Sequence, residues 1–533
     1  MKSSLIFIYG PPGSGKTTIG KLLASDLNLP FLDLDDEIVR KNGKTIPEIF
    51  STGGEKAFRQ IEKDELQQIM AFNTGVITLG GGTLLDSANR ELVEENGDVV
   101  LLSADEEILL TRLKQDEIAR PLLSSDLSTK LSGLLIERSS HYSSFKNQID
   151  TSTFSPEQIS RQIQMQVGRF HIPEISKKSK GYDVLVLPAG LDLIGGLLTK
   201  RQLNSPIMIV SDENVSRYYL KRVGESLRIA GYETHNFIFP PGEQHKNIHQ
   251  VAFLWDALLA TGLERGSTVI ALGGGVVSDL AGFAAATYLR GIQWVVVPTS
   301  LLSMIDAGLG GKTGFDLPRG KNLIGAFHSP SLVLVDPEIL FTLPQDEFRS
   351  GLAEVVKHGI ICDPYLYQLC QKIPANLDFR KDPAFLNEII KRAIAVKIQV
   401  IREDPFELGR RAVLNLGHTI GHAVELVSGF KIRHGEAVAI GMVAEARLAE
   451  DINFAQTGLT DEIKETLSLL GLPTEIPAEL DIEEILLALA RDKKRAGGKV
   501  RFALPVSVGN AAVGIEIDEW RIRNAISISF TRS

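Results

Sequence analysis

The sequence predicts an α/β protein of several domains. A P-loop NTPase-like parallel α/β domain comes first, then a Rossmann-like α/β half and a mainly α-helical half. Three observations predict it. The glycine loop "GPPGSGKT" directly follows the strand-like "SLIFIYG". Strand-like and helical runs alternate on both sides of a Lys/Ser-rich stretch, which is the rhythm of parallel α/β sheets. Beyond Leu343 the strand signals fade into helical patterns.

Taken in order, "SLIFIYG", "GVITLG" and "DVVLLS" mark a first domain over residues 1–167. Residues 168–182 hold a proline and a Lys/Ser cluster with little periodicity, and they read as a linker. The runs "YDVLVLPAG", "PIMIVSDEN", "STVIALGGG", "QWVVVPTS" and "SLVLVD" mark a second α/β segment over 183–343. Residues 344–533 are helical in pattern apart from the late strand-like "KVRFALPVSVG".

Composition narrows the class. At 533 residues, with 44% hydrophobic and 23% charged side chains, the chain has the profile of a multidomain globular enzyme. A net charge of −9 points to no nucleic-acid or membrane partner, so anionic substrates need local cationic pockets. Cys362 and Cys370 are the only cysteines, which argues against a disulfide framework or a thiolate metal site. The apolar opening runs straight into the glycine loop and reads as a strand rather than a signal peptide. The expected address is the cytoplasm.

The loop Gly10 to Thr17 matches Gly-x-x-x-x-Gly-Lys-Thr in strand–loop–helix context. Its backbone N–H groups, with Gly13, Ser14, Gly15 and Thr18, suit nucleotide phosphates; Lys16 reaches the outer ones and Thr17 can hold Mg²⁺. In "FLDLDDEI" the spacing places Asp33 and Asp35 on one face of a strand end. Asp33 suits the magnesium shell and Asp35 suits a base for a substrate hydroxyl.

"DEIVRKNGKTIPEIFSTGGEKAFRQIE", "LGGGTLL", "RPLL" and "ERSSHY" together resemble shikimate kinase over the first third of the chain. The resemblance implies that Asp35, Arg59, Gly80, Gly81, Gly82 and Arg138 hold shikimate. It also implies that Arg120 faces the phosphates of ATP from a lid. Leu34 and Ser140 depart from the family pattern.

In "RRAVLNLGHTIGHAVE", Arg411, Asn415, His418, His422 and Glu425 follow at intervals of four, three, four and three. On one helix they form a single ionisable stripe in an otherwise apolar surface, so the stripe should line a cavity holding a metal or polar ligand. An internal salt-bridged network is the alternative. His-x-x-x-His shares its spacing with the helix of zinc proteases, but Thr419 occupies the position of that motif's glutamate base. Glu354 and His434 are further candidate ligands, and mixed His/Glu ligation suits zinc with an open position. "STVIALGGGVVSDLAG" reads as strand, glycine turn and helix, which suits a pyrophosphate.

Taken with "PGEQHK", "PTSLLSMIDAGLGGKTG", "KNLIGAF", "GLAEVVKHG" and "HGEAVAIGM", these segments resemble dehydroquinate synthase from about Asp183 onward. The resemblance implies Zn²⁺, with Co²⁺ as a substitute, on Glu354, His418 and His434, and it puts His422 on the substrate beside Lys357, Lys397, Arg411 and Asn415. It implies NAD on Asp212, Asn214, Glu243, Lys246, Gly274, Gly275, Val276, Asp279, Thr299, Ser300, Lys321, Asn322 and Thr342. Asp306, Lys312 and one of Lys493 or Lys494 would flank the heptulosonate phosphate, with Lys494 preferred. Arg290 would reach its phosphate from the neighbouring subunit of a homodimer. The implied chain is bifunctional: it phosphorylates shikimate, and it cyclises 3-deoxy-D-arabino-heptulosonate 7-phosphate to 3-dehydroquinate with NAD regenerated each turnover. Rival readings are a polyol dehydrogenase or inositol-type cyclase for the large module, and a nucleotide-sensing or oligomerisation role for the small one.

Overall fold

The computed structural model describes residues 4–115, 127–174, 181–318, 320–405, 409–495 and 500–531. The chain divides into two units, 1–171 and 172–533.

The first unit is a five-stranded sheet of β1 (Ser4–Tyr9), β2 (Phe31–Asp33), β3 (Thr74–Thr78), β4 (Gly97–Ser103) and β5 (Gln148–Asp150). The order is β2-β3-β1-β4-β5 and every pairing is parallel. Strands covered on both faces should be apolar without alternation, and Leu5, Ile6, Phe7, Ile8 and Tyr9 are all buried. The loop after β1 leads into the helix Lys16–Asp26 through Gly15 at φ 87°. At Gly10, φ is 147° and a β-carbon would meet the Leu102 carbonyl oxygen at 2.1 Å, so no side chain fits there.

The second unit carries a sheet in the order β7-β14-β11-β10-β8-β9. Its strands are β7 (Tyr182–Val186), β8 (Asn204–Asp212), β9 (Thr234–Phe239), β10 (Ser267–Gly273), β11 (Gln293–Pro298) and β14 (Leu332–Val335), and β6 (Arg169–Ile172) falls at the boundary between the units. From β7 to β9 the pairings are parallel. β12 (Lys312–Leu317) and β13 (Gly320–Phe327) form an antiparallel hairpin outside this sheet. A helical half follows, closed by the antiparallel pair β15 (Arg501–Ser507) and β16 (Asn510–Glu516).

Several local expectations change. Residues 168–182 are not linker throughout, because β6 lies inside that stretch. β2 ends at Asp33, which caps the helix Leu34–Asn42, so Asp35 sits in a helical first turn rather than on the same strand face. The single striped helix is also broken. Arg410–Asn415 is a 3-10 turn, Gly417 adopts φ 79°, and the helix proper is His418–Val427. Of the late hairpin, β16 carried no signal that the sequence reading used.

Glycine sets the distance between the helices His418–Val427 and His434–Asp451. A β-carbon on Gly441 would lie 1.9 Å from the Gly417 carbonyl oxygen, and one on Gly421 would lie 2.7 Å from that of Ala437. Gly441→Ala should therefore cost about 1–3 kcal/mol by overpacking, read as an earlier urea midpoint for the second unit. A β-carbon on Gly224, in the helix Glu213–Ile229, meets nothing within 4 Å. Gly224→Ala should be neutral or stabilise by up to about 1 kcal/mol.

Candidate functional sites

In the first unit the Lys16 ammonium folds over the glycine loop, donating to the Gly10 and Pro11 carbonyls at 3.0 and 2.9 Å. Thr17 Oγ1 donates to Asp33 Oδ2 at 2.9 Å, and Thr78 Oγ1 donates to the same oxygen at 2.7 Å. The hydroxyl and carboxylate expected to share a magnesium shell are therefore adjacent. Asp35 is pushed up to about 6, first by burial and then by the charges of Asp33 and Glu62. A carboxylate poised near neutrality suits general-base work.

The glycine triplet lies between two arginines. Arg138 Nη1 donates to the Gly81 carbonyl at 2.7 Å, and a β-carbon on Gly82 would come 2.6 Å from Arg59 Nη2. A β-carbon on Gly80 would lie 3.4 Å from Asp35 Oδ1. Asp35, Arg59, Gly80, Gly81, Gly82 and Arg138 thus converge. Arg120 lies outside the described residues. Sequence reading missed Glu62, which is 1% exposed and accepts from Arg59 Nη1 at 2.8 Å and Thr83 Oγ1 at 2.7 Å. The available signal was its position three residues after Arg59 on one helix face.

In the second unit a cavity of about 730 Å³ is lined by Asp279, Asp306, Lys312, Asn322, Lys357, Lys397, Arg411, Asn415 and His418, among others. Residues from both halves of the unit therefore meet in one space. Asp306 Oδ1 pairs with Lys397 Nζ at 2.5 Å. Burial alone would raise Asp306, yet Lys397 and Lys357 hold it well below the usual carboxylate range. Lys357 lies against the Glu354 carboxylate and donates to the Leu414 carbonyl at 2.8 Å. Arg411 is anchored by its backbone N–H on Asp404 and by Nη1 on the Pro405 carbonyl.

Of the expected nucleotide residues, Lys246 is buried between Asp279 Oδ2 at 2.6 Å and Asn322 Oδ1 at 2.5 Å. Gly274 and Gly275 open the helix Gly275–Thr287 after β10, as a phosphate-facing turn requires, and Val276 lies in its first turn. The Asp212 carboxylate is engaged in capping, accepting from the Asn214 and Val215 N–H groups. Thr299 donates its N–H to the Gly273 carbonyl, Ser300 Oγ accepts from Ser303, and Thr342 Oγ1 lies 2.6 Å from the Tyr219 hydroxyl. Lys321 Nζ is 3.9 Å from Glu243 Oε1. Arg290 is exposed and does not line the cavity. The side chains of Lys493 and Lys494 lie outside the described residues.

Beside the cavity three histidines cluster. One ring nitrogen each from His418, His422 and His434 lies within 4.8 Å of the others. Distance alone therefore does not separate His422 from the other two. The remaining contacts do differ. His418 Nδ1 faces the Leu416 carbonyl at 3.1 Å and His434 Nδ1 faces Glu425 Oε2 at 3.2 Å. Their Nε2 atoms lie 3.5 and 3.8 Å from Glu354 Oε1. Two ligands about 2.1 Å from one ion at the tetrahedral angle are about 3.4 Å apart, so this donor set fits zinc. Glu354 is 0% exposed, and its carboxylate oxygens are buried without a hydrogen bond of good geometry.

Two acidic residues outside the expected set support this cluster. Glu425 is held down to about 2: burial would raise it, but His434 and Lys321 outweigh burial. Glu445, fully buried, accepts from the Gly417 and Ile420 N–H groups at 2.5 and 3.2 Å, capping the helix that begins at His418. Burial pushes it up to about 8. Glu425 belonged to the spaced stripe, whereas nothing in the sequence marks Glu445.

Family models match residues 12–167 (shikimate kinase), 236–350 (3-dehydroquinate synthase N-terminal) and 351–495 (3-dehydroquinate synthase C-terminal). The 3-dehydroquinate synthase of Nostoc punctiforme is 44% identical over 355 residues, covering 66% of this chain and 98% of that protein. That of Synechocystis sp. is 45% identical over 345 residues, 64% and 95% of the two chains. Among solved structures, the 2-epi-5-epi-valiolone synthase of Streptomyces hygroscopicus, with NAD⁺ and Zn²⁺ bound, superposes with TM-score 0.61 at 30% identity, over 66% of this chain and 98% of that one. A 2-deoxy-scyllo-inosose synthase complexed with carbaglucose-6-phosphate, NAD⁺ and Co²⁺ gives 0.59 at 26%, over 68% and 100%. The chain belongs to the 3-dehydroquinate synthase family and carries a shikimate kinase domain ahead of that module.

Proposed function

We propose that the first unit transfers a phosphoryl group from ATP to the 3-hydroxyl of shikimate. The second converts 3-deoxy-D-arabino-heptulosonate 7-phosphate to 3-dehydroquinate and phosphate. The observation that carries the second reading is the single cavity uniting Arg411, Lys397, Lys357 and Asn415 with His418 and the nucleotide-half residues Asp279 and Asn322.

In the kinase site Arg59 and Arg138 fix the shikimate carboxylate and ring around the glycine triplet, and Asp35 accepts the hydroxyl proton. Lys16 and Arg120 neutralise charge that develops on the phosphates, and Thr17 with Asp33 holds the magnesium. Glu62 orients Arg59.

In the synthase site Glu354, His418 and His434 would hold zinc, or cobalt in its place. Bound there, the metal would supply Lewis acidity to the substrate hydroxyl being oxidised, and the dinucleotide would supply a reversible hydride acceptor. Arg411 and Lys397 bind the carboxylate, and Asp306 and Lys312 flank the substrate. Lys357, Asn415 and His422 orient its hydroxyls, and His422 exchanges a proton with them. Arg290 supplies its guanidinium to the phosphate of a second copy, which makes the working form a homodimer. The expected cytoplasmic address remains a proposal; no described helix is long and apolar enough to cross a membrane.

Lys16→Ala should abolish shikimate 3-phosphate formation and leave dehydroquinate formation intact, and His418→Ala should do the reverse. Loss of both activities in either folded variant would overturn the two-module reading. His422→Ala should keep zinc, measured by metal analysis, while losing turnover by about 10²-fold or more. Glu62→Gln should raise the KM for shikimate about tenfold with little change in the nucleotide KM, as expected for a misoriented Arg59. Mixing inactive Arg290→Ala and His418→Ala chains should restore about a quarter of wild-type synthase activity, because each heterodimer then holds one complete site. No recovery would assign Arg290 to the site of its own chain rather than to that of a second copy.

A further inference from the structure

Glu425 has no catalytic role in the reading above, yet it joins two parts of the second unit. It lies on the helix His418–Val427 and is 6% exposed. Its Oε2 faces His434 Nδ1 at 3.2 Å, and its Oε1 accepts from Lys321 Nζ at 2.9 Å. Lys321 belongs to β13 in the nucleotide half. Its side chain is 34% exposed, and its ammonium sits 4.4 Å from the centre of the Phe430 ring. One buried carboxylate is thus shared between an accessible cation, assigned to the dinucleotide, and the ring of an assigned metal ligand.

We propose that Glu425 is the positioning residue through which nucleotide binding at Lys321 tightens metal binding at His434. The proposal rests on the assignment of Lys321 to the nucleotide and of His434 to the metal. While Lys321 is paired with Glu425, the carboxylate divides its charge between ammonium and imidazole. A nucleotide phosphate or ribose oxygen that draws Lys321 away leaves the carboxylate to His434 alone. The Nδ1–H···O bond then strengthens, Nε2 becomes a better donor to a metal, and one cation leaves the neighbourhood of another. A carboxylate behind a ligating histidine fixes both its tautomer and its ring orientation. Linkage makes the effect reciprocal, so the metal must tighten nucleotide binding by the same factor.

The test uses the full chain stripped of metal. Zn²⁺ affinity is measured by competition with a chromogenic chelator, with and without saturating NAD⁺, and NAD⁺ binding is followed separately by calorimetry. In the wild type, NAD⁺ should tighten Zn²⁺ binding about fivefold or more. Glu425→Gln should weaken Zn²⁺ binding about 10–100-fold and lose the NAD⁺ dependence, with an unchanged circular dichroism spectrum. Lys321→Met, on the hairpin, should bind Zn²⁺ at least as well as nucleotide-free wild type and show no NAD⁺ effect once saturated. It keeps the proposal testable if Glu425→Gln fails to fold. Equal Zn²⁺ affinity with and without bound NAD⁺ in the wild type, or a full NAD⁺ effect in Lys321→Met, overturns the coupling. Wild-type protein that binds no NAD⁺ at all overturns instead the nucleotide assignment beneath it.

Discussion

The contact between Gly417 and Gly441 is the constraint on which the second site depends. With no β-carbon between them, the helices His418–Val427 and His434–Asp451 approach until backbone meets backbone. Each of the two histidines is the first residue of its helix. Their rings therefore stand where N–H groups and helix dipoles converge with positive sign, a setting that suits an anionic partner such as Glu354. The close approach also explains why Glu445, on the second helix, can cap the first. A larger residue at either glycine would separate ligands that come from neighbouring but independent turns of chain.

Around that contact the protein buries charge that an ordinary core would exclude. Asp306 with Lys397, Glu354 with Lys357, and Lys246 with Asp279 are all largely out of water. Each ion loses several kcal/mol of hydration, and such pairs often add nothing to stability compared with apolar residues of similar volume. Their concentration in one cavity is understandable as preorganisation, since dipoles and charges fixed before substrate arrives need not reorganise during reaction. The first unit follows a different plan. Its loop and glycine triplet present backbone groups, and its charges sit at the edges of that backbone.

Much of this was legible in sequence because the chemistry is local. Gly-x-x-x-x-Gly-Lys-Thr carries its own geometry, so Lys16 and Thr17 are found where the spacing places them. The stripe of Arg411, Asn415, His418, His422 and Glu425 was right in its convergence and wrong in its helix. Gly417 at positive φ breaks the periodicity, and tertiary packing then restores the common face. Such a break cannot be read from spacing, because Gly417 packs against residue 441, which is remote in sequence. Glu62 could have been found from its interval to Arg59, as Glu425 was from its place in the stripe. Glu445 could not, since its partners are N–H groups that any sequence supplies. Arg290 is exposed and does not line the cavity, so the expectation for it gains nothing from the geometry of this chain.

The choice of substrate for the synthase module rests on buried cations more than on fold, because the structural neighbours include a 2-deoxy-scyllo-inosose synthase. Lys397 and Arg411 are 7% and 4% exposed. The Arg411 guanidinium donates to the Pro405 carbonyl, and its backbone N–H donates to Asp404. A sugar phosphate without a carboxylate would enter the same cavity and lack the group that Arg411 and Lys397 bind in the proposed reaction. Sites built to bind a polar group reject analogues that lack it by large factors. The fold accepts a family of ring-forming reactions. These two cations narrow it to an acid.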